Sequence, residues 1–502
     1  MAGTFTKNIK NKFIEEFITD VANTSSNYYV AFGRDYPWDD DNAPPAGNTS
    51  LKTSYYDIHK DMLFGKRITE TDFSYVFRVI PWTSGTVFDY YSHLDSNLFD
   101  KNFYVINQYG RVYKCLFNNY GAQSTVEPDD FNTNGDFVTQ PDNYRWKYMF
   151  RVTNALKQKF QTNEYFPYAN TSDTEAVRSS SEPGAIHVIV VDNDGIGYVS
   201  GSGYIDETIN STTIRVANSG ASSINGAYSL STMYINSGTG TGTFRNITDY
   251  VVNATGKYVV TDTLLPSLDT TSSYIIGPKV TVVGDGGDVQ AVAYVNSTSG
   301  AIDSIDVINR GIGYTYANVY ITANSNFGSG ATATAIISPP GGHGSDPVSE
   351  LGCETVAISA DITVRDDLPK WATFRQISLL YNPIASNGAL YSAETFKQYV
   401  TLRMASNPGT IPQYYTVDGS QSGANGIVAY QDTTNLYVTS VKGSFSTFET
   451  ITNYDTSLSF ITTQINNEDL QKYTGEIFYY NNVEPITRSV TSSERVQLYF
   501  KF

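Results

Sequence analysis

Apolar residues recur along this chain mostly at a spacing of two, the period of a strand with one buried face. The clearest run is Phe374-Arg375-Gln376-Ile377-Ser378-Leu379-Leu380-Tyr381-Asn382-Pro383, where Ile377, Leu379 and Tyr381 share a face. Asn382-Pro383 ends it, because proline cannot donate to a sheet ladder. Phe73 to Trp82 alternates Phe73, Tyr75, Phe77 and Val79 with polar neighbours and predicts a half-buried strand. Phe103–Ile106 and Val112–Phe117 read as two strands around the turn Asn107-Gln108-Tyr109-Gly110. In Asp142 to Val152, Tyr144, Trp146, Tyr148 and Phe150 share one face, and Arg145, Lys147 and Arg151 mark the other. That cationic face is expected to be solvated or covered by a partner.

Two stretches follow the helical period instead. Asn8 to Val21 places Ile9, Phe13, Phe17 and Val21 four apart, widened by Ile14 and Ile18, with Thr6 as the N-cap. Leu51 to Phe64 sets Leu51, Tyr55, Ile58 and Met62 on one side. Between them Tyr28-Tyr29-Val30-Ala31-Phe32 predicts a strand that runs into Gly33-Arg34-Asp35-Tyr36-Pro37-Trp38 and an acidic tip, Asp39 to Asp41.

After Glu182-Pro183-Gly184 the composition changes: tryptophan disappears, lysine nearly so, and Gly, Ser, Thr, Asn and Val dominate to about Leu351. Within this block Ala185, Ile186, Ile189, Val191 and Gly195-Ile196-Gly197-Tyr198 recur 116 residues later as Ala301, Ile302, Ile305, Val307 and Gly311-Ile312-Gly313-Tyr314. Each copy predicts a strand followed by a turn in which glycine permits positive φ. Pro339 to Pro347 reads as an exposed linker, with His343 as a turn residue. A second small meander or barrel is expected over 401–465. The aromatic style then returns in Glu476 to Asn482 and in Arg495 to Phe502. The division that follows is a body made of 1–183, 351–400 and 466–502, with all-β modules inserted at 184–350 and 401–465. The fold class is mainly β, a β-sandwich-like body with a few helices.

At 502 residues, about two to four domains are expected. Thirty-nine Tyr and 26 Phe against only 17% charged residues favour strands and contact surface. The formal charge of −17 disfavours nucleic acid, and no basic patch offsets it. Cys115 and Cys353 are far apart and read as reduced, packing thiols. The first residues lack a signal-like apolar run, and no stretch approaches the ~20 apolar residues of a membrane span, so no membrane anchoring is expected. His59, His93, His187 and His343 share no motif and have no neighbour at zinc spacing. Asp192-Asn193-Asp194-Gly195 opens like a calcium loop, but Gly203 stands where the closing Glu belongs. Gly284 to Asp288 lacks the Lys-Ser/Thr of a phosphate cradle. Neither a catalytic residue, a metal nor a cofactor is expected. A glycosidase dyad, whose carboxylates can be distant in sequence, stays open at this level.

Four stretches together resemble the gene product eight family of baseplate wedge proteins from T-even-type contractile-tailed bacteriophages. They are Tyr29 to Trp38 (with Phe32, Gly33, Arg34, Pro37 and Trp38), Asn143 to Phe150 (with Tyr144, Trp146 and Tyr148), Phe374 to Pro383 (with Phe374, Arg375, Gln376, Asn382 and Pro383), and Thr474 to Asn482 (with Gly475 and Glu476). Pro485-Ile486 and Leu498 to Phe502, with Phe500, close the set. The order is the family's, and the two inserts lie outside the resemblance. It implies a non-enzymatic virion protein, assembled in the host cytoplasm, that forms a homodimer. The implied neighbours are other baseplate wedge proteins and peripheral baseplate or tail-fibre components. The alternative is a glycan- or receptor-binding tail protein that uses the Tyr-rich inserts.

Overall fold

Strands dominate the chain and helices are few and short, so the protein is mainly β as the period-two pattern predicts. The computed structural model describes residues 7–47 and 52–502; Thr6 and Leu51 lie outside them. Two compact units emerge, one formed by Met1–Val76 with Glu354–Phe502, the other by Phe77–Cys353.

The first unit is a sandwich. One sheet has the order Thr395–Lys397, Met62–Ile68, Tyr28–Gly33, Thr373–Tyr381, Glu476–Thr487, antiparallel throughout. Facing it, Thr355–Ile362 lies between Glu494–Lys501 and the start of Phe73–Arg78. The layer between them holds Val30, Phe32, Phe64, Phe374, Ile377 and Leu379 from one side and Val356, Ile358, Ala360 and Ile362 from the other. The helix Lys7–Ala22 closes this layer with Ile14 and Val21, aided by Phe17 and Ile18. Ile9 and Phe13, expected on the same stripe, are exposed.

The strand Thr373–Tyr381 is covered on both faces, not one. Leu380 packs behind the sheet with Tyr29, Ala31, Met62 and Phe396, roofed by Ile58 of the helix Lys52–Lys60. The sequence extends that helix to Phe64, but it ends at Lys60, and Met62 begins a strand. Helical spacing put Met62 on the apolar stripe, but sheet pairing with Tyr28–Gly33 buries it instead. Val400–Asn466 closes into a six-stranded barrel around Leu402, Val417, Val428, Leu436, Val438, Ile451 and Phe460, the second of the two forms expected there.

In the second unit, Tyr104–Ile106, Arg111–Phe117, Arg145–Arg151 and Val138–Thr139 form a sheet in that order. The glycine-rich block adds long antiparallel strands, among them Ser273–Gly284, Gly287–Val295 and Ile302–Ile312. The two repeat copies share one core, where Tyr198 and Tyr314 are both buried with Ile186, Ile189, Ile302 and Ile305. They also hold each other reciprocally. Tyr314 N–H donates to Gly184 O (3.2 Å), which precedes the first copy. Tyr198 N–H donates to Gly300 O (2.8 Å), the equivalent residue before the second. Gly184 has φ +66°, and a Cβ there would lie 2.3 Å from Tyr314 N, so no other residue fits.

The unit boundary differs from the sequence division at residue 183. Residues 77–183 belong with the glycine-rich block, because polar contacts join them: Arg145 to Asp306 (2.6 Å), Arg310 to Asp136, and Ile337 N–H to His93 Nδ1 (3.2 Å). The expected linker is likewise no linker, since His343 is buried inside this unit.

Candidate functional site

Most of the residues singled out by pattern lie in the first unit, divided between the two ends of the strand Thr373–Tyr381. The strand Tyr28–Gly33 carries Phe32 into the core, stacked on Phe64 at 5.0 Å and edge-on to Phe374 at 4.8 Å. It then turns at Gly33, where a Cβ would meet Asp61 O at 2.6 Å. Arg34 adopts φ +57° and donates its N–H to Asp61 O (2.8 Å). Its guanidinium lies over the rings of Trp38 (3.6 Å) and Tyr36 (4.0 Å) and reaches Pro37 O (3.2 Å). A cation over two aromatic faces gains more when partly desolvated, as here.

Arg375, nearly buried, locks the turn from the neighbouring strand. Its Nε and one terminal nitrogen each donate to the Asp41 carboxylate at 2.8 Å, and the other terminal nitrogen donates to Asp35 O at 2.6 Å. Such planar two-point pairs are the strong, geometrically specific kind. The Arg375 hydrogen bond holds the Asp41 carboxyl below its ordinary value. Trp38 N–H also donates to Asp41 (2.8 Å), and Trp38 Nε1 donates to Val483 O (3.3 Å). Gln376 donates to Asn482 (2.8 Å), which donates to Pro45 O (2.8 Å).

At the opposite end of the same strand, Asn382 (φ +48°) accepts from Asn27 N–H (2.8 Å). Pro383 O accepts from Tyr391 N–H (2.9 Å). Gly475 (φ +82°) passes so near Leu380 and Tyr381 that a Cβ would clash, and Glu476 opposes Tyr381 in the ladder. Phe500 meets Tyr479 edge-on at 5.3 Å. Thirteen of the sixteen singled-out residues thus lie in the first unit.

Tyr144, Trp146 and Tyr148 do not join them. They are buried in the second unit, with Tyr144 and Trp146 stacked at 5.5 Å and Tyr144 Oη donating to Ala122 O (2.6 Å). The cationic face behind them is not solvated throughout. Lys147 is fully buried, beside a buried Lys114–Glu350 ion pair. Glu350 also accepts from Gly344 N–H (2.7 Å) and Asp346 N–H (3.1 Å). His187 and His343 face each other at 4.9 Å. Burial, with nearby cations, pushes His187 down to about 3 and His343 well below the ordinary histidine value. Burial, then Lys114 and Arg310, lowers Lys147 to about 8. Lys147 Nζ, His187 Nδ1 and His343 Nδ1 have no hydrogen-bond partner among the described residues.

Sequence reasoning missed this cluster and took His343 for a surface turn residue. The signal available was Gly342 and Gly344 on either side of it. Both have positive φ, and both sit where a Cβ would clash with packed neighbours.

Beside the Arg34 turn, still in the first unit, lies a cleft of about 320 Å³ lined by Asp35, Tyr36, Lys60, Asp61, Leu63, Tyr414, Ile427, Thr439 and Ser440. Asp35 is 7% exposed, and its Oδ2 has no partner. Burial, reinforced by Asp61, raises its carboxyl to about 6. Asp61 is raised by burial as well and accepts from Tyr36 Oη at 2.5 Å.

No protein-family model matches the chain, and no curated protein matches it. Among the described residues, no helix is long and apolar enough to cross a membrane, and no group of three or more His, Cys, Asp or Glu could hold a metal ion.

Proposed function

We propose that the chain is a structural subunit of a contractile-tail baseplate wedge in a virion. It works as a homodimer, bridges neighbouring wedge and peripheral tail-fibre proteins, and rearranges during tail contraction without catalysing a reaction. One observation carries this reading. Three of the four separated stretches that resemble one wedge family become neighbours in a single unit, where Tyr28–Gly33, Thr373–Tyr381 and Glu476–Thr487 are consecutive strands of one sheet, while Asn143 to Phe150 belongs to the second unit. The Arg375–Asp41 pair and the Asn382–Asn27 bonds tie the loops at their ends.

Exposed apolar groups on that unit supply material for protein contacts. Ile9 and Phe13 lie on the N-terminal helix, Phe478 on a sheet edge, and Phe448 and Tyr454 on the barrel, the last two 70% and 74% exposed. Aromatic and aliphatic groups of this kind form the centres of interfaces.

Light scattering on the full chain tests the first part. The expected result is twice the chain mass at micromolar concentration. Substituting Phe448 and Tyr454 by Ser, both largely exposed, separates dimer contacts from wedge contacts when each form is mixed with purified baseplates. A trimeric full chain, or one that never co-sediments with baseplates lacking it, would sink the proposal.

A further inference from the structure

The cleft beside the Arg34 turn is lined by a buried carboxylate whose oxygen Oδ2 has no hydrogen-bond partner. Asp35 is more than nine-tenths buried, lines the cleft, and presents an unpartnered carboxylate oxygen there. Its main-chain carbonyl is well served, accepting from Arg375 (2.6 Å) and Tyr414 Oη (3.0 Å), but neither bond reaches the side-chain oxygen Oδ2. A buried, ionised oxygen without a partner is costly and marks a place where a donor belongs.

The other walls say what kind of donor. Asp61 adds a second buried carboxylate, already in contact with Tyr36 Oη and with Arg34 at 4.0 Å and Lys60 at 3.9 Å. Of the lining residues only Lys60 is a cation, and it already stands beside Asp61, so the lining keeps a net negative charge that disfavours an anion. A metal ion would lack ligands, for no third His, Cys, Asp or Glu joins them among the described residues. Tyr36, Tyr414, Leu63 and Ile427 give the cleft aromatic and aliphatic sides, suited to the stem of an organic cation and to its positive end. At about 320 Å³ the space is at the small end of ligand sites, roughly 300–1,000 Å³, so it fits a side-chain-sized group.

We propose that this cleft binds an alkyl-guanidinium or alkyl-ammonium group, with the Asp35 carboxylate taking its N–H donors and Ile427 and Leu63 flanking its stem. The cation has two sources, an Arg or Lys side chain of another polypeptide or a free amine. The inference stands independently of the assembly reading above.

Calorimetric titration of the full chain with acetyl-arginine methylamide and with agmatine tests it, using acetyl-citrulline methylamide as the uncharged control. Both cations are expected to bind the native chain. Binding should weaken by about thirtyfold or more in Asp35→Asn, which removes the charge. It should be blocked in Ile427→Trp, which fills the space from a half-exposed barrel position without touching either carboxylate. Tighter binding of the methylamide identifies a polypeptide side chain as the source, and tighter binding of agmatine a free amine. The proposal is overturned if neither cation binds at about 10 mM, if citrulline binds equally, or if Asp35→Asn binds as the native chain does.

Discussion

Lys147 is a buried ammonium with no hydrogen-bond partner, so replacing it by methionine is expected to stabilise the protein at neutral pH. Methionine keeps the unbranched stem and fills similar space without the charge. The magnitude follows from the amine's displacement from 10.5 to about 8. At about 1.4 kcal/mol per unit, the folded state disfavours the charged form by roughly 3 kcal/mol.

The unfolded chain keeps its proton up to the ordinary lysine value, while the folded chain releases it above about 8. The native lysine therefore costs stability in full below pH 8. That cost shrinks as pH rises towards 10.5 and is gone beyond it. Lys147→Met should gain about 3 kcal/mol at pH 7 and almost nothing at pH 10.5. Urea denaturation followed by tryptophan fluorescence, run at both pH values, reads the difference, and other titrating groups cancel between the two chains. A variant that is less stable at pH 7, or whose gain persists unchanged at pH 10.5, would refute the assignment of Lys147 as a buried, uncompensated cation.

Three other substitutions test neighbouring claims. Glu350→Gln leaves Lys114 buried without its counter-charge and should cost about 3–5 kcal/mol in the same urea assay. Arg375→Met removes three charged hydrogen bonds from the Arg34 turn. A loss of about 3 kcal/mol is expected, seen as a lower midpoint of the urea transition. Asp35→Asn removes a carboxylate held at about 6, so it should raise stability by up to about 3 kcal/mol above pH 6. The advantage should vanish below the ordinary aspartate range, where both forms are neutral, as a thermal melt series from pH 3 to 8 would show.

The fold class was legible in the sequence, because alternation such as Ile377, Leu379 and Tyr381 reports a pleated, buried face whatever the partner strands are. A small β module over 401–465 was legible from the spacing of its short apolar runs, but whether it is a meander or a barrel was not, because closure depends on Val400–Met404 pairing with Leu458–Asn466. The second face of Thr373–Tyr381 was not, since Ser378 and Gln376 look solvent-facing until other chain segments cover them. The boundary at residue 183 followed a change of composition, but composition does not report packing. Arg145 and Arg310 join the aromatic and glycine-rich stretches through acids distant in sequence. The Arg34 turn was visible as a motif, but its cleft was not, because Tyr414 and Ile427 come from the barrel nearly four hundred residues later. The Lys114, Lys147 and Glu350 cluster was hidden because single-sequence reading assigns lysines to solvent.

The interleaved first unit also sets a schedule for synthesis. The strand Tyr28–Gly33 pairs with Met62–Ile68 soon after both emerge, but its other neighbour, Thr373–Tyr381, is made only after the whole Phe77–Cys353 unit. At about 5–20 residues per second, that leaves a fully apolar strand with one open edge for tens of seconds. During this wait the open edge of that strand pair is a ready template for pairing with another chain. The contiguous second unit has time to finish before the sandwich can close.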